Sequence, residues 1–448
     1  MAYRGVVAMT SRHARVARLD RYVRIPTVSR RVTPEMVEHV RAFWQEQGLA
    51  LEPLSPPGDQ GTPALWGEIP GPAGAPTVLL YGHYDVQPTG DLARWVWDGV
   101  PCEPFAPTYF HDGRRVDPAT VDDAALDAVT MVARGGADNK GQHLANVLGA
   151  LDAARAGTLR WRVRIILDGE EEHGSPHLGE IARAHRARLA ADVVICSDGP
   201  KQKNRPTLVM GVRGMLEVHL TVENGQRTAV HSGNYGNIVA NPVLPLARLI
   251  EDLQGRVREF AQDNGAFRQA AEAAFARWER EAVWKPFLWP YVNANHLATE
   301  GTSLEQRRTV IPRAAHARVD IRLTPDASPE AMSALVYRAV ADHQKSAEGV
   351  TFQVRTTGQP ASYTSPDRPE FAWLLRLLGE QGDGPPVALP TLGGTLPTWV
   401  FTQLLGIPTF VIPSANSDNQ QHDVNEHYVL RHFFAQIALY DRIVSSRP

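Results

Sequence analysis

Residues Trp161–Pro176 read WRVRIILDGEEEHGSP, an alternating apolar strand that runs into Asp168 and three consecutive glutamates, Glu170, Glu171 and Glu172. Carboxylates crowded this tightly repel one another, and ionising them together is costly unless cations are near. Strand ends are where open α/β sheets place their chemistry, and a divalent metal is the simplest neutraliser. The chain offers matching ligand types at the ends of other apolar runs. His83 and Asp85 follow PTVLLYG, Asp138 sits in ARGGADNKG, Asp198 ends ADVVICSD, and His422 lies in QQHDVNEH. Two imidazoles and several carboxylates, each leaving its own element, are the donors a two-metal hydrolytic centre needs.

Composition narrows the alternatives. At 448 residues the chain is too long for one ordinary core, so two domains are the default. It is 43% hydrophobic and 21% charged, with a net charge of -3 from 46 basic and 49 acidic residues. That balance shows no basic stripe, which argues against a nucleic-acid partner. No apolar run reaches the ~18 residues of a membrane span. The N-terminal MAYRGVVAMTSRHARVARLDRY lacks a sustained apolar core, so export is not indicated. Cys102 and Cys196 make no disulfide framework, and a reducing cytoplasm is the expected compartment. Cys196, inside an apolar strand, reads as a small core residue.

Along the chain, VARLDRYVRI and MVEHVRAFWQEQG carry helix spacing, with Pro34 placed to start a helix after Thr33. ALWGEIP and PTVLLYG read as strands. Strand, ligand loop and helix then alternate through 77–81, 140–156 (with Leu144, Leu148 and Leu151 along one side), 162–167, 181–189 and 192–196. This alternation predicts a mostly parallel sheet with helices on both faces. From Thr207 the pattern changes. TLVMGVRGMLEVHLTVEN suggests antiparallel strands, 242–253 a helix, and the aromatic segment from Ala266 a helix up to Trp284. TVIPRAAHARVDIRL reads as two strands, SPEAMSALVYRAVADHQ as a helix and VTFQVRTT as a strand, the pattern of a small α+β sandwich. After about Pro366 the α/β pattern returns. The expected organisation is a catalytic domain in two parts, 1–209 and 363–448, interrupted by an inserted domain at 210–362. No internal repeat or long low-complexity tract is present.

GHYDVQP, ARGGADNKG, DGEEEHGSP, ICSD, AVHSGNYG, TVIPRAAHARVDIRLTPD and QHDVNEH occur in that order. Together they resemble the dinuclear zinc family of glutamate carboxypeptidase, cytosolic dipeptidases, aminoacylase and succinyl-diaminopimelate desuccinylase, with a lean toward the dipeptidases. The resemblance implies that His83 and Asp198 hold one metal, Glu172 and His422 the other, and Asp138 both. Asp85 would orient the His83 imidazole. Glu171 would take a proton from a water held between the metals and pass it to the leaving nitrogen. His231 would reach a neighbouring subunit's active site and donate to the developing oxyanion. Arg322 would clamp a substrate carboxylate, with Asn241 a further polar contact and the Gly393–Gly394–Thr395 turn a backbone cradle for the same end. The inserted domain would act as a lid and dimerisation surface. Zinc is the expected metal, with manganese or cobalt alternatives. The implied substrate is a dipeptide or N-acyl amino acid with a free carboxylate, and the implied assembly a homodimer. An aminohydrolase or deacylase of a non-peptide acid would use the same metals, and a catalytically inactive binding relative would lack a ligand that is present here.

Several assignments compete. Three glutamates in a row allow two registers, and the GSP after His173 favours Glu171 as base and Glu172 as ligand over Glu170. Asp168 and Asn139 stand where relatives usually carry Glu and a second Asp. His173 and His177 read as flanking residues, His143 as a helix-surface residue, and His427 as a rival of His422. Arg313 rivals Arg322, while Arg318 and Asp320 read as a cross-strand pair. Trp278, Trp284 and Trp289 fit packing better than a pocket.

Overall fold

The computed structural model describes residues 11–58, 61–275, 284–300 and 308–448. The chain divides into two compact units, one of Met1–Gly211, Thr364–Leu389 and Val400–Pro448, the other of Val212–Tyr363 and Pro390–Trp399.

The first unit is built on an eight-stranded sheet. Its order is Glu52–Leu54, Ala64–Ile69, Arg162–Asp168, Thr77–His83, Val193–Cys196, Thr409–Val411, Thr207–Val209 and Val387–Leu389. The four strands from Arg162–Asp168 to Thr409–Val411 run parallel. Every residue from Val78 to His83 is buried, which is what a strand covered on both faces requires and why these strands read as continuous apolar runs. Helix Lys140–Ala156 is buried nearly all round, including Ala145, Val147 and Ala150 beside the anticipated leucines. It lies in the interior rather than showing one leucine face. Thr33 caps helix Pro34–Glu46 by accepting from Met36 N.

Two further features of this unit depart from expectation. Thr207–Val209, read as the start of a run of antiparallel strands, joins the large sheet, parallel to Val387–Leu389. A separate antiparallel sheet of His427–Val429, Thr130–Val132, Thr108–His111 and Arg114–Val116 was not anticipated.

The second unit is a four-stranded antiparallel sheet in the order Tyr291–Thr299, Ala314–Leu323, Gly214–Glu223, Thr351–Gln359. Leu216, Val218, Leu220 and Val222 alternate onto its buried side and pack with residues of helices Val243–Asp263 and Pro329–Ser346. The first helix extends beyond the expected Leu253 because Val257 and Ala261 continue its buried stripe. Strand Tyr291–Thr299 falls where no strand was foreseen; it is mostly exposed and shows no clean alternation. Helix Ala266–Phe275 forms the start of the expected aromatic helix. The stretch 276–283, with Trp278, lies outside the described residues. Among the described residues no helix is long and apolar enough to cross a membrane.

Candidate active site

Parallel pairing brings the C-terminal ends of neighbouring strands to one edge, and the candidate ligands leave from there. His83 ends Thr77–His83 opposite Asp168, the last residue of Arg162–Asp168. Glu171 and Glu172 follow in a short turn, and Asp198 lies just past Val193–Cys196. Asp138 precedes helix Lys140–Ala156, whose N-terminal end favours an anion. His422 sits in the loop before His427–Val429.

The side chains converge. His83 Nε2 lies 3.1 Å from Asp138 Oδ1, 3.3 Å from Asp198 Oδ2 and 4.0 Å from Glu171 Oε2. His422 Nε2 lies 3.0 Å from Asp138 Oδ2 and 3.4 Å from Glu172 Oε2. Two groups of ligand atoms, one from His83, Asp138 and Glu172 and one from His83, Glu171 and Asp198, each fall within 4.8 Å of one another. Glu172 Oε1 is buried with no hydrogen-bond partner. A buried carboxylate oxygen left without a donor, among imidazoles and further carboxylates, fits a divalent cation.

The electrostatics point the same way. Burial, with Asp198 and Asp138 adding repulsion that the His83 charge only partly offsets, pushes Glu171 well above the usual carboxylate range. Burial and Asp138 do the same to Glu172. Burial also acts on Asp138, but hydrogen bonds with His422 and His83 outweigh it and hold that carboxyl low. Too many carboxylates share too few cations, which is the imbalance the sequence suggested.

Around the cluster lie supports. Asp85 is fully buried; its backbone carbonyl lies 3.0 Å and its carboxylate 3.3 Å from His83 Nδ1. The same carboxylate accepts from Glu171 N at 3.1 Å and Glu172 N at 3.2 Å, so it also pins the glutamate turn. Sequence reading passed over Gln87, which donates to Glu172 Oε2 at 2.7 Å. It also passed over Glu426, whose buried carboxylate accepts from Arg134, Gly135 N, Ala137 N and Asp138 N at 2.8–3.0 Å. The only signal for Glu426 was its place in QHDVNEH. Burial and then Asp85 raise Asp168 to about 6, and it accepts from Ser175 Oγ at 2.6 Å.

Other histidines are engaged elsewhere. His173 bonds Ser29, and His177 bonds Glu170. His427 lies against Trp97 and bonds the Asn425 carbonyl. His143 is not on a helix surface: it is buried, 2.9 Å from the Tyr22 hydroxyl, on a helix buried nearly all round.

In the second unit, Arg322 Nη1 donates to Thr395 Oγ1 at 3.0 Å, and Gly393 faces the Phe287 ring. A side chain at Gly393 would crowd that ring, while Gly394 faces open space. Arg313 is tied to Glu300 and Glu223. Arg318 pairs with Glu217, not with Asp320, which lies 3.4 Å from Arg322. His231 is exposed and accepts from Gly233 N. Asn241 Oδ1 accepts from Val243 N at the start of its helix. Trp284 is buried beside Phe275, and Arg268 stacks on Trp289.

Comparison with known proteins gives concordant results. The model of peptidase family M20/M25/M40 matches residues 79–446. The Cys-Gly metallodipeptidase of Schizosaccharomyces pombe is 25% identical over 472 residues, covering 95% of this chain and 94% of its own. The Beta-Ala-His dipeptidase of Homo sapiens is 24% identical, covering 78% of this chain and 70% of its own. An M20 family metallo-carboxypeptidase from Sulfolobus solfataricus shares the fold with a TM-score of 0.76 at 22% identity, covering 96% of this chain and 98% of that one. Human carnosine dipeptidase 1 does so with a TM-score of 0.68 at 21% identity, covering 96% of each.

Proposed function

Since the chain belongs to peptidase family M20/M25/M40 and is a metal-dependent hydrolase of the dipeptidase type, we propose that it cleaves the amide bond of a dipeptide bearing a free C-terminal carboxylate. The observation that carries this reading is the convergence of His83, Asp138, Glu171, Glu172, Asp198 and the partly exposed His422 on one cluster. His83 and Asp198 would hold one divalent ion, Glu172 and His422 a second, and Asp138 would hold both. Bound there, the ions supply Lewis acidity to a water and to the scissile carbonyl.

The protein's own groups do the rest. Glu171, kept basic by burial and then by its carboxylate neighbours, takes a proton from the attacking water and returns it to the leaving nitrogen. Asp85 fixes the face of His83 and the position of the Glu171–Glu172 turn together. His231 donates to the developing oxyanion in a neighbouring subunit's site. Arg322, Thr395 and the Gly393–Gly394 backbone take the carboxylate of the substrate, with Asn241 an outlying polar contact. A homodimer formed through the second unit, a cytoplasmic location and zinc as the resident metal, with manganese or cobalt able to replace it, belong to the same proposal.

Cys-Gly and β-Ala-His are the substrates to try first, because relatives named for them align over much of the chain. Metal-loaded protein is expected to release free amino acids from these dipeptides faster than from N-acyl amino acids. Turnover of N-acyl acids alone would overturn the dipeptide reading in favour of a deacylase.

A further inference from the structure

Asn139 and His143 lie buried in the first unit, at the start of helix Lys140–Ala156. Asn139 Nδ2 donates to the Ser197 carbonyl at 2.5 Å, and Asn139 Oδ1 lies 3.2 Å from His143 Nδ1. His143 Nε2 is 2.9 Å from the Tyr22 hydroxyl, which accepts from Trp44 Nε1 at 3.3 Å. Only one set of proton positions satisfies this row. The Ser197 carbonyl can only accept, so the amide nitrogen faces it and Oδ1 faces the imidazole. His143 then carries its proton on Nδ1, and its bare Nε2 accepts from Tyr22. Burial, followed by the charges of His83 and Lys140, pushes that imidazole well below its ordinary range and keeps it neutral.

Asn139 directly follows Asp138, and Ser197 directly precedes Asp198. The strand that ends in His83 closes on the same pair. A Cβ at Gly82 would stand 2.5 Å from His143 Cβ and 3.0 Å from Asn139 Oδ1. Three segments therefore meet at Asn139 and His143, and they bear His83, Asp138 and Asp198, the donors assigned to one ion. The other ion's donors are fastened elsewhere. Glu172 rests on Asp85 and Gln87, and in the loop of His422 the Asn419 side chain accepts from Gln421 N. In a buried polar row, removing one member leaves the next without its partner, so a change at one end is felt along the row.

We propose that Asn139 and His143 are positioning residues for one of the two ions, setting the spacing of Asp138 and Asp198 about His83. The inference rests on the two-metal reading above and adds to it an asymmetry. One ion is braced by a buried row that runs back to Tyr22 and Trp44, and the other is independent of it. Groups that orient a ligand in this way act on metal affinity without touching the metal.

The test reads zinc affinity one ion at a time, by competition with a chelator. His422→Ala leaves the His83–Asp198 ion, and Asp198→Asn leaves the Glu172–His422 ion. His143→Phe strips the donor from Asn139 Oδ1. It is expected to weaken zinc roughly 10- to 100-fold in the His422→Ala protein and to leave it unchanged in the Asp198→Asn protein. Asn139→Ala is expected to show the same asymmetry. His143→Asn, which restores a donor at the δ position, is expected to recover most of the loss. Where His143→Phe does not fold, Tyr22→Phe removes only the hydroxyl that holds Nε2 and is expected to act in the same sense to a smaller degree. Equal weakening of both ions, no weakening of either, or a His143→Asn no better than His143→Phe would overturn the brace. The readout needs no substrate. Failure to cleave Cys-Gly therefore counts against the proposed function, whereas loss of the asymmetry counts against Asn139 and His143.

Discussion

His422 Nε2 stands 3.0 Å from Asp138 Oδ2, across 284 positions of sequence. Both belong to the first unit, so the chain's excursion into the second unit is bracketed by residues that meet in one cluster. His422→Ala is therefore expected to release about one of two metal equivalents per chain and to cut kcat at least ~100-fold. Metal analysis after gel filtration, alongside turnover, checks it. Full occupancy with normal turnover would show that His422 is no ligand.

Glu171→Gln separates the base from the ligands. Removing that proton acceptor is expected to cost on the order of 10²- to 10⁴-fold in kcat, with metal content unchanged. Because burial and the charges of Asp198 and Asp138 disfavour the Glu171 carboxylate, the metal-free variant is also expected to melt above metal-free wild type. A lower melting temperature would contradict the electrostatic argument.

Glu426→Gln tests the support under Asp138. The neutral amide keeps the shape but faces Arg134 and three backbone N–H groups without a full charge. Leaving Arg134 buried without its partner is expected to cost about 3 kcal/mol by urea unfolding. Metal affinity is expected to weaken by roughly 10- to 100-fold, as for other groups that orient a ligand. Unfolding affected while metal affinity is untouched would make Glu426 a purely structural residue.

Lys201 gives a pH signature. Burial, only partly offset by Asp383, lowers it to about 8 from an ordinary 10.5, and its Nζ lies 3.2 Å from His432 Nδ1. Between those pH values the unfolded chain holds more protons than the folded one, so stability rises with pH across that window. Below about pH 8 both states are protonated and the penalty is present in full. The penalty is at most about 3 kcal/mol. Lys201→Met removes this titration, so unfolding free energies of wild type minus variant are expected to climb from pH 8 to 10.5. A flat difference would mean that Lys201 titrates normally.

Much of this was legible in the sequence, for a physical reason. Strands covered on both faces become apolar runs, and the ligands sit where those runs stop, as at His83 and Asp198. Tyr291–Thr299 was invisible because an exposed strand paired on one side carries little periodicity. Thr207–Val209 looked continuous with the strand after it, and only its partners at Val387–Leu389 and Val411 place it in the large sheet. His143 misled because polar residues on an enclosed helix resemble surface ones until their partners, here Tyr22 and Asn139, are known. Glu426 matters through bonds to backbone groups distant in sequence, which leave no local spacing to read.

The most direct measurement is a metal titration of stripped protein, following Cys-Gly hydrolysis against equivalents of zinc added. Activity is predicted to be absent at the start and to reach its plateau at two ions per chain, with His422→Ala failing to reach it. Full activity in stripped protein with no metal added, or a plateau at one ion that His422→Ala attains equally, would contradict a two-metal centre built from both ends of the chain.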